Sequence, residues 1–169
     1  MDGEQLRKLQ APFKDRYRSD PASALITLEA EGQLADETIT CKVSTGKTML
    51  EAGLHPATGG DGLSACSGDM LLEALVACAG VTMKAVATAL GITLRGGRVR
   101  AEGDLDFSGT LGVDKQAPVG FKNIRLSFRL DTDADEEQLA TLQRLTERYC
   151  VIYQTLRNPP PVEISRSIV

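Results

Sequence analysis

Apolar and polar residues alternate with a period of two in several stretches of the chain and cluster with a helical period in two others. In LITLEAE (25–31), Ile26, Leu28 and Ala30 fall on one side and Thr27, Glu29 and Glu31 on the other, the pattern of a strand with one wet face. TITCKVS (38–44) repeats it with Ile39, Cys41 and Val43 together. The two read as an antiparallel hairpin with a longish loop, and KTMLEAG (47–53) adds a third short strand. RVRAEGDLDFSG (98–109) sets Val99, Ala101, Leu105 and Phe107 against charged neighbours, and NIRLSFRLD (123–131) does the same with Ile124, Leu126, Phe128 and Leu130. VEISRSIV (162–169) closes the chain as a final strand.

Between these strands the period changes. HPATGGDGLSACSGD (55–69) is rich in Gly, Pro, Ser and Asp and reads as a loop. The run LLEALVACAGVTMKAVATALGI follows and predicts a helix over 68–90. Ser67 suits its N-cap, Asp69 complements the dipole in its first turn, and Gly91 suits its C-terminal stop. It is apolar nearly all round, which predicts burial on most sides. DADEEQLATLQRLTERYCVIYQTLRNPPP (133–161) predicts a second helix, with Asp133 and Glu136 spaced as a capping box and Pro159, Pro160 and Pro161 ending it. Residues 1–20 read as a polar helical arm. Strands, helix, strands, helix and strand with no repeat or clear linker give one α+β domain over 1–169.

Composition narrows the function classes. The formal net charge of −4 argues against a nucleic-acid-binding face. The apolar run is long enough to raise a membrane span, but Glu73 and Lys84 interrupt it and Ala and Gly dilute it, so no membrane is expected. The N-terminus alternates charges and has no apolar signal core, so the expected location is the cytoplasm.

Four cysteines, Cys41, Cys66, Cys78 and Cys150, form no CxxC pair and read as free thiols rather than a disulfide framework. Cys41 faces inward on its strand, and Cys66 sits in the loop with no base near it in sequence. His55 is the lone histidine, which argues against hydrolase triads. Cys41, His55 and Cys66 lack the paired spacing of a metal site, so no metal is expected. Cys78 lies on the stripe Leu71, Ala74, Leu75, Cys78, Thr82, Ala85, and Cys150 follows Tyr149 on the second helix. The pattern by itself reads as a small buried hydrophobe at each position, with a reactive thiol as the alternative.

SGDMLLEALVACAGVTMKAVA (67–87) resembles the first cysteine helix of the OsmC/Ohr family, the osmotically induced and organic-hydroperoxide-resistance proteins of the stress response. LTERYCVIYQTL (145–156) resembles the family's second cysteine helix, and the 72-residue separation of the two cysteines fits the family layout. The resemblance implies an OsmC/Ohr-like fold, with curved antiparallel sheets packed on two long cysteine-bearing helices in an intertwined homodimer. It implies a thiol peroxidase that reduces organic hydroperoxides without metal, flavin or haem. Cys78 then matches the peroxidatic cysteine and Cys150 the resolving one, and a dithiol or lipoyl-type reductant restores both.

Such a site needs a thiolate, and Cys78 lies about ten residues inside its helix, beyond the reach of that helix's own N-terminal dipole. The resemblance implies an arginine from the N-terminal part, oriented by an acid at the helix start. Arg18, with Arg16 beside it, and Asp69 are the candidates, while a solvated charge and a first-turn dipole partner are their plain alternatives. The chain departs from the family at Gly68, where the hydroperoxide-resistance branch has glutamate, and at Val151, where many members have proline. These departures keep open a non-enzymatic relative that binds a small apolar ligand or acts as a thiol redox sensor.

Overall fold

The computed structural model describes residues 1–28, 30–34, 40–44 and 49–168, with 31–34 and 40–44 described by their backbone. In chain order the elements are α1 (Gly3–Ser19), β1 (Glu31–Leu34), β2 (Thr40–Ser44), β3 (Met49–Gly53), β4 (Ala65–Cys66), α2 (Ser67–Leu90), β5 (Gly96–Asp104), α3 (Phe107–Thr110), β6 (Asn123–Asp131), α4 (Glu136–Tyr149) and α5 (Val151–Arg157). One sheet has the order β1-β2-β3-β4, antiparallel except for the parallel β3–β4 pair. The other is the antiparallel β5–β6 ribbon, in continuous register from Gly96↔Asp131 to Asp104↔Asn123. The mixture of helices and small sheets is the α+β class that the patterning predicts.

The core is assembled around α2. Leu75, Ala79, Met83 and Ala87 recur every four residues and are the buried positions of that helix. Leu75 and Ala79 join Cys150 in one cluster, flanked by Val99, Ala101, Ile124, Leu126 and Phe128 of the ribbon. Met83 and Ala87 join Leu142 of α4 in a second, reached by Phe128 and Leu130. Alanine at two of the four stripe positions lets α4 and the ribbon approach the helix closely. Gly91 ends α2 at φ 74°, with its own N–H and that of Ile92 satisfying the last carbonyls, a left-handed stop that glycine adopts without strain. Another glycine is required by packing: a Cβ on Gly103 would lie 2.4 Å from the Phe121 ring.

Several expectations are corrected. α2 begins at Ser67, so Cys66 rather than Ser67 occupies the N-cap. The apolar circumference of α2 is not buried on most sides within one chain: only 22% of its most apolar window is covered, and Val81 is 73% exposed. By length and composition alone α2 could cross a membrane, yet its buried stripe packs on α4 and the ribbon. The strand predicted over 98–109 stops at Asp104, because Asp106 turns the chain by accepting the Ser108 N–H and hydroxyl. Phe107 therefore leaves the sheet and stacks on His55, ring centroids 4.8 Å apart.

The ends of the chain differ too. Residues 25–28 and 162–168 form no strand, and Leu25, Leu28, Val162 and Ile164 are more than four-fifths exposed. Alternation specifies a strand only when a sheet edge is there to receive it, and none pairs with these segments among the described residues. The inward-facing side chain expected for Cys41 lies outside the described residues. α1 is a helix, as the polar arm predicts, capped reciprocally by Asp2 and Gln5 and burying no residue.

The predicted helix over 133–161 is two helices. Its capping box is Asp135 with Gln138, not Asp133 with Glu136, since Asp133 pairs with Arg95 instead. Leu142 is the large side chain that ties α4 to the Met83–Ala87 end of α2. Leu142→Ala is expected to destabilise the fold by about 3 kcal/mol in chemical denaturation. A loss below about 1 kcal/mol would show that the cluster is not a core.

Candidate functional site

The break between α4 and α5 falls on Cys150, and neither proline nor glycine causes it. Cys150 has φ −74° and ψ 107°, extended rather than helical. Its N–H still donates to the Thr146 carbonyl and its carbonyl still accepts from the Gln154 N–H, both at 2.9 Å. The three N–H groups in between, on Val151, Ile152 and Tyr153, are the first of a new helix and have no carbonyl one turn back. The matching gap at the end of α4 is partly filled by the Gln154 side chain, whose Nε2 donates to the Glu147 carbonyl at 2.7 Å. Gln154 thus stabilises the junction from both sides, through its backbone and its amide.

The freed N–H groups bear on the two cysteines packed beside them. Cys78 is half-buried on α2 beside the Leu75, Ala79, Cys150 cluster, and Ile152 and Tyr153 pack on the same cluster. Burial pushes the Cys78 thiol up, but four donors outweigh it: the Ile152 N–H, the Cys150 thiol, the Val151 N–H and the Thr82 hydroxyl. The net direction for Cys78 is down from the ordinary thiol value. Cys150 is 1% exposed and moves the other way. Burial raises it most, the Tyr153 and Ile152 N–H groups offset part of that, and its role as proton donor to Cys78 raises it further. The two thiols influence each other and take opposite directions, Cys78 down and Cys150 up, so Cys78 is the more readily ionised of the pair.

Of the residues expected at the site, the structure brings Cys78 and Cys150 together. Arg18 lies on exposed α1, its guanidinium 2.8 Å from Asp15 in a pair more than 70% exposed on both sides. Asp69 is exposed in the first turn of α2, where it complements the helix dipole. Neither appears among the groups that shift Cys78. Cys66 is half-buried at the N-cap, and the His55 ring Nδ1 accepts the Ala57 N–H at 3.0 Å. The donors that sequence reasoning missed are Thr82 and the backbone of Val151 and Ile152. Thr82 left a signal, a hydroxyl one helical turn from Cys78 on an otherwise apolar stripe. Backbone donors leave none.

These features define an α+β protein with two cysteines, one on its central helix and one at the α4–α5 junction, packed in the same apolar cluster. The chain belongs to the OsmC-like protein family, which matches it over residues 59–165. Solved structures share the fold at low identity. The OsmC-like protein of Mycoplasma pneumoniae is 16% identical, with 79% of this chain and 89% of that one aligned at a TM-score of 0.65. An organic hydroperoxide resistance protein OsmC from Legionella pneumophila is 18% identical, with 79% and 91% aligned at 0.61. An organic hydroperoxide resistance protein from Elizabethkingia anophelis is 15% identical, with 80% and 91% aligned at 0.62. No curated protein sequence matches the chain.

Val151 is the first residue of α5 and its side chain is mostly exposed, so proline fits there and removes only the N–H. The extended Cys150 before it already has the backbone that a following proline demands. Val151→Pro is expected to move the midpoint of Cys78 alkylation against pH upward, because one donor that favours the thiolate is lost. An unchanged midpoint in a folded variant would remove Val151 from the site.

Proposed function

We propose that the protein is a cysteine-based peroxidase that reduces organic hydroperoxides, with Cys78 as nucleophile and Cys150 as resolving thiol. The carrying observation is the apposition of a lowered and a raised thiol at the α4–α5 junction. The Cys78 thiolate attacks the distal peroxide oxygen, the O–O bond breaks, and the leaving alkoxide takes a proton to become the alcohol. Cys78 is then a sulfenic acid. The Cys150 sulfur attacks it, the S–O bond breaks, and water leaves as the disulfide forms. An external dithiol, free or lipoyl-borne, reduces that disulfide by two exchanges and is itself oxidised to a cyclic disulfide. The cluster around the thiols is apolar, with Leu75, Val99, Leu126 and Phe128 in it, which suits an organic peroxide better than hydrogen peroxide. Structural relatives described as organic hydroperoxide resistance proteins support the same substrate class. The chemistry calls for free thiols, in keeping with a reducing cytoplasm.

The surface of a single chain supports a homodimer. It exposes 13155 Å², whereas a compact monomer of this mass exposes about 8,000 Å². The excess includes Val81 on α2 and the alternating segments at 25–28 and 162–168, surfaces that a second copy would cover and pair. A second reading, a stoichiometric thiol sensor, is favoured by the pairing of Arg18 with Asp15 away from Cys78. Turnover separates the two, because a sensor is oxidised once and waits.

With an organic hydroperoxide and excess dithiol, Cys78→Ser is expected to reduce turnover at least a thousandfold. Cys150→Ser should leave the first oxidation but drive Cys78 to the sulfinic acid, seen by peptide mass spectrometry. Undiminished turnover in Cys78→Ser would refute the assignment, and a single round of oxidation in the wild type would select the sensor. Light scattering is expected to give twice the 18.1 kDa chain mass. A monomer would contradict the dimer.

A further inference from the structure

A cleft of about 610 Å³ separates β6 from α4, within the usual range of small-molecule sites. Its apolar walls include Met83, Leu126, Phe128, Leu139 and Leu142. A second hollow of about 310 Å³ adjoins it, sharing Glu147 and Tyr153 as common wall. There the lining changes to Arg144, Arg148 and Arg157, with the amides of Gln154 and Asn158 between them. None of the three arginines has a carboxylate within ion-pairing distance among the described residues. Two acids line the hollows: Glu136, in the cleft beside β6, and Glu147, in the common wall, whose carboxylate is engaged by the Gln143 amide at 2.9 Å. Three arginines thus line one concavity in a chain of net charge −4, with the Arg148 guanidinium also lying over the Tyr149 ring, 5.6 Å from its centroid.

We propose that the two hollows form one site for an amphipathic carboxylate, an unbranched medium-chain acid whose chain fills the cleft and whose head binds the arginines. The charge complementarity selects this occupant. A neutral apolar ligand would leave the guanidinium groups unused, and a small anion would leave the cleft empty. Guanidinium groups match a carboxylate with paired, charge-assisted hydrogen bonds. Cys78 lines neither hollow, so the ligand is not the peroxide under attack. It lies instead on the Cys150 side, against Tyr153, whose N–H is a donor to the Cys150 sulfur.

The test is calorimetric titration of the full-length reduced protein with decanoate below its micelle concentration, alongside decanol and acetate. Decanoate should bind with one site per chain, and decanol and acetate at least tenfold more weakly. The Arg144→Gln, Arg148→Gln double variant should bind decanoate no better than decanol. Both arginines are exposed on α4 and glutamine is a good helix former, so the fold should persist, checked by circular dichroism. No binding of decanoate would overturn the proposal and point to a second copy of the chain as the cover of the cleft. Equal binding by the double variant, or acetate binding as tightly as decanoate, would overturn it as well. None of these readouts depends on thiol chemistry, so the outcome stands whether or not the protein reduces peroxides.

Discussion

A cysteine in an apolar core is ordinarily a poor nucleophile, because burial favours the neutral thiol. The α4–α5 junction reverses that balance for one cysteine and not for its neighbour. Interrupting the helix at Cys150 frees backbone N–H groups that cannot be left unpaired in a buried place. The Val151 and Ile152 N–H groups, the Thr82 hydroxyl and the Cys150 thiol together favour the Cys78 thiolate against the effect of burial. The same break that brings Cys150 to Cys78 therefore supplies backbone donors that favour the ionised form of Cys78. Fixed backbone dipoles act in this direction, and only on a sulfur placed against the junction.

Other features follow from holding that junction in place. Leu75 and Ala79 press α2 against it, the β5–β6 ribbon closes the far side, and Gln154 satisfies the Glu147 carbonyl that the break would otherwise orphan. Valine at position 151 gains meaning in this light. Proline would impose the break through covalent geometry but would withhold an N–H. Here the break is maintained by hydrogen bonds, and the first residue of α5 is left as a donor.

Much of the fold was legible in the sequence because it rests on local rules. α2 ends where Gly91 permits a left-handed turn, and β6 spans the alternation of Asn123–Asp131. The pairing of Cys78 with Cys150 came from family resemblance rather than periodicity, which by itself reads as inert core residues. The break at Cys150 was hidden, since neither proline nor glycine marks it and the cysteine it faces lies 72 residues away. Arg18 was assigned by analogy, and its nearest acid, Asp15 one turn back, holds it on α1. The terminal segments illustrate another limit: Ile26 and Leu28, or Val162 and Ile164, show which face wants burial but not which chain supplies the partner.

The central claim is a division of proton affinity between two neighbouring thiols. Site-resolved titration of the reduced protein, with carbon-13 at the cysteine Cβ positions, reads both directly. The account predicts that Cys78 ionises below the ordinary thiol value and Cys150 above it. Coincident titration at the ordinary value, or Cys150 ionising first, would contradict it.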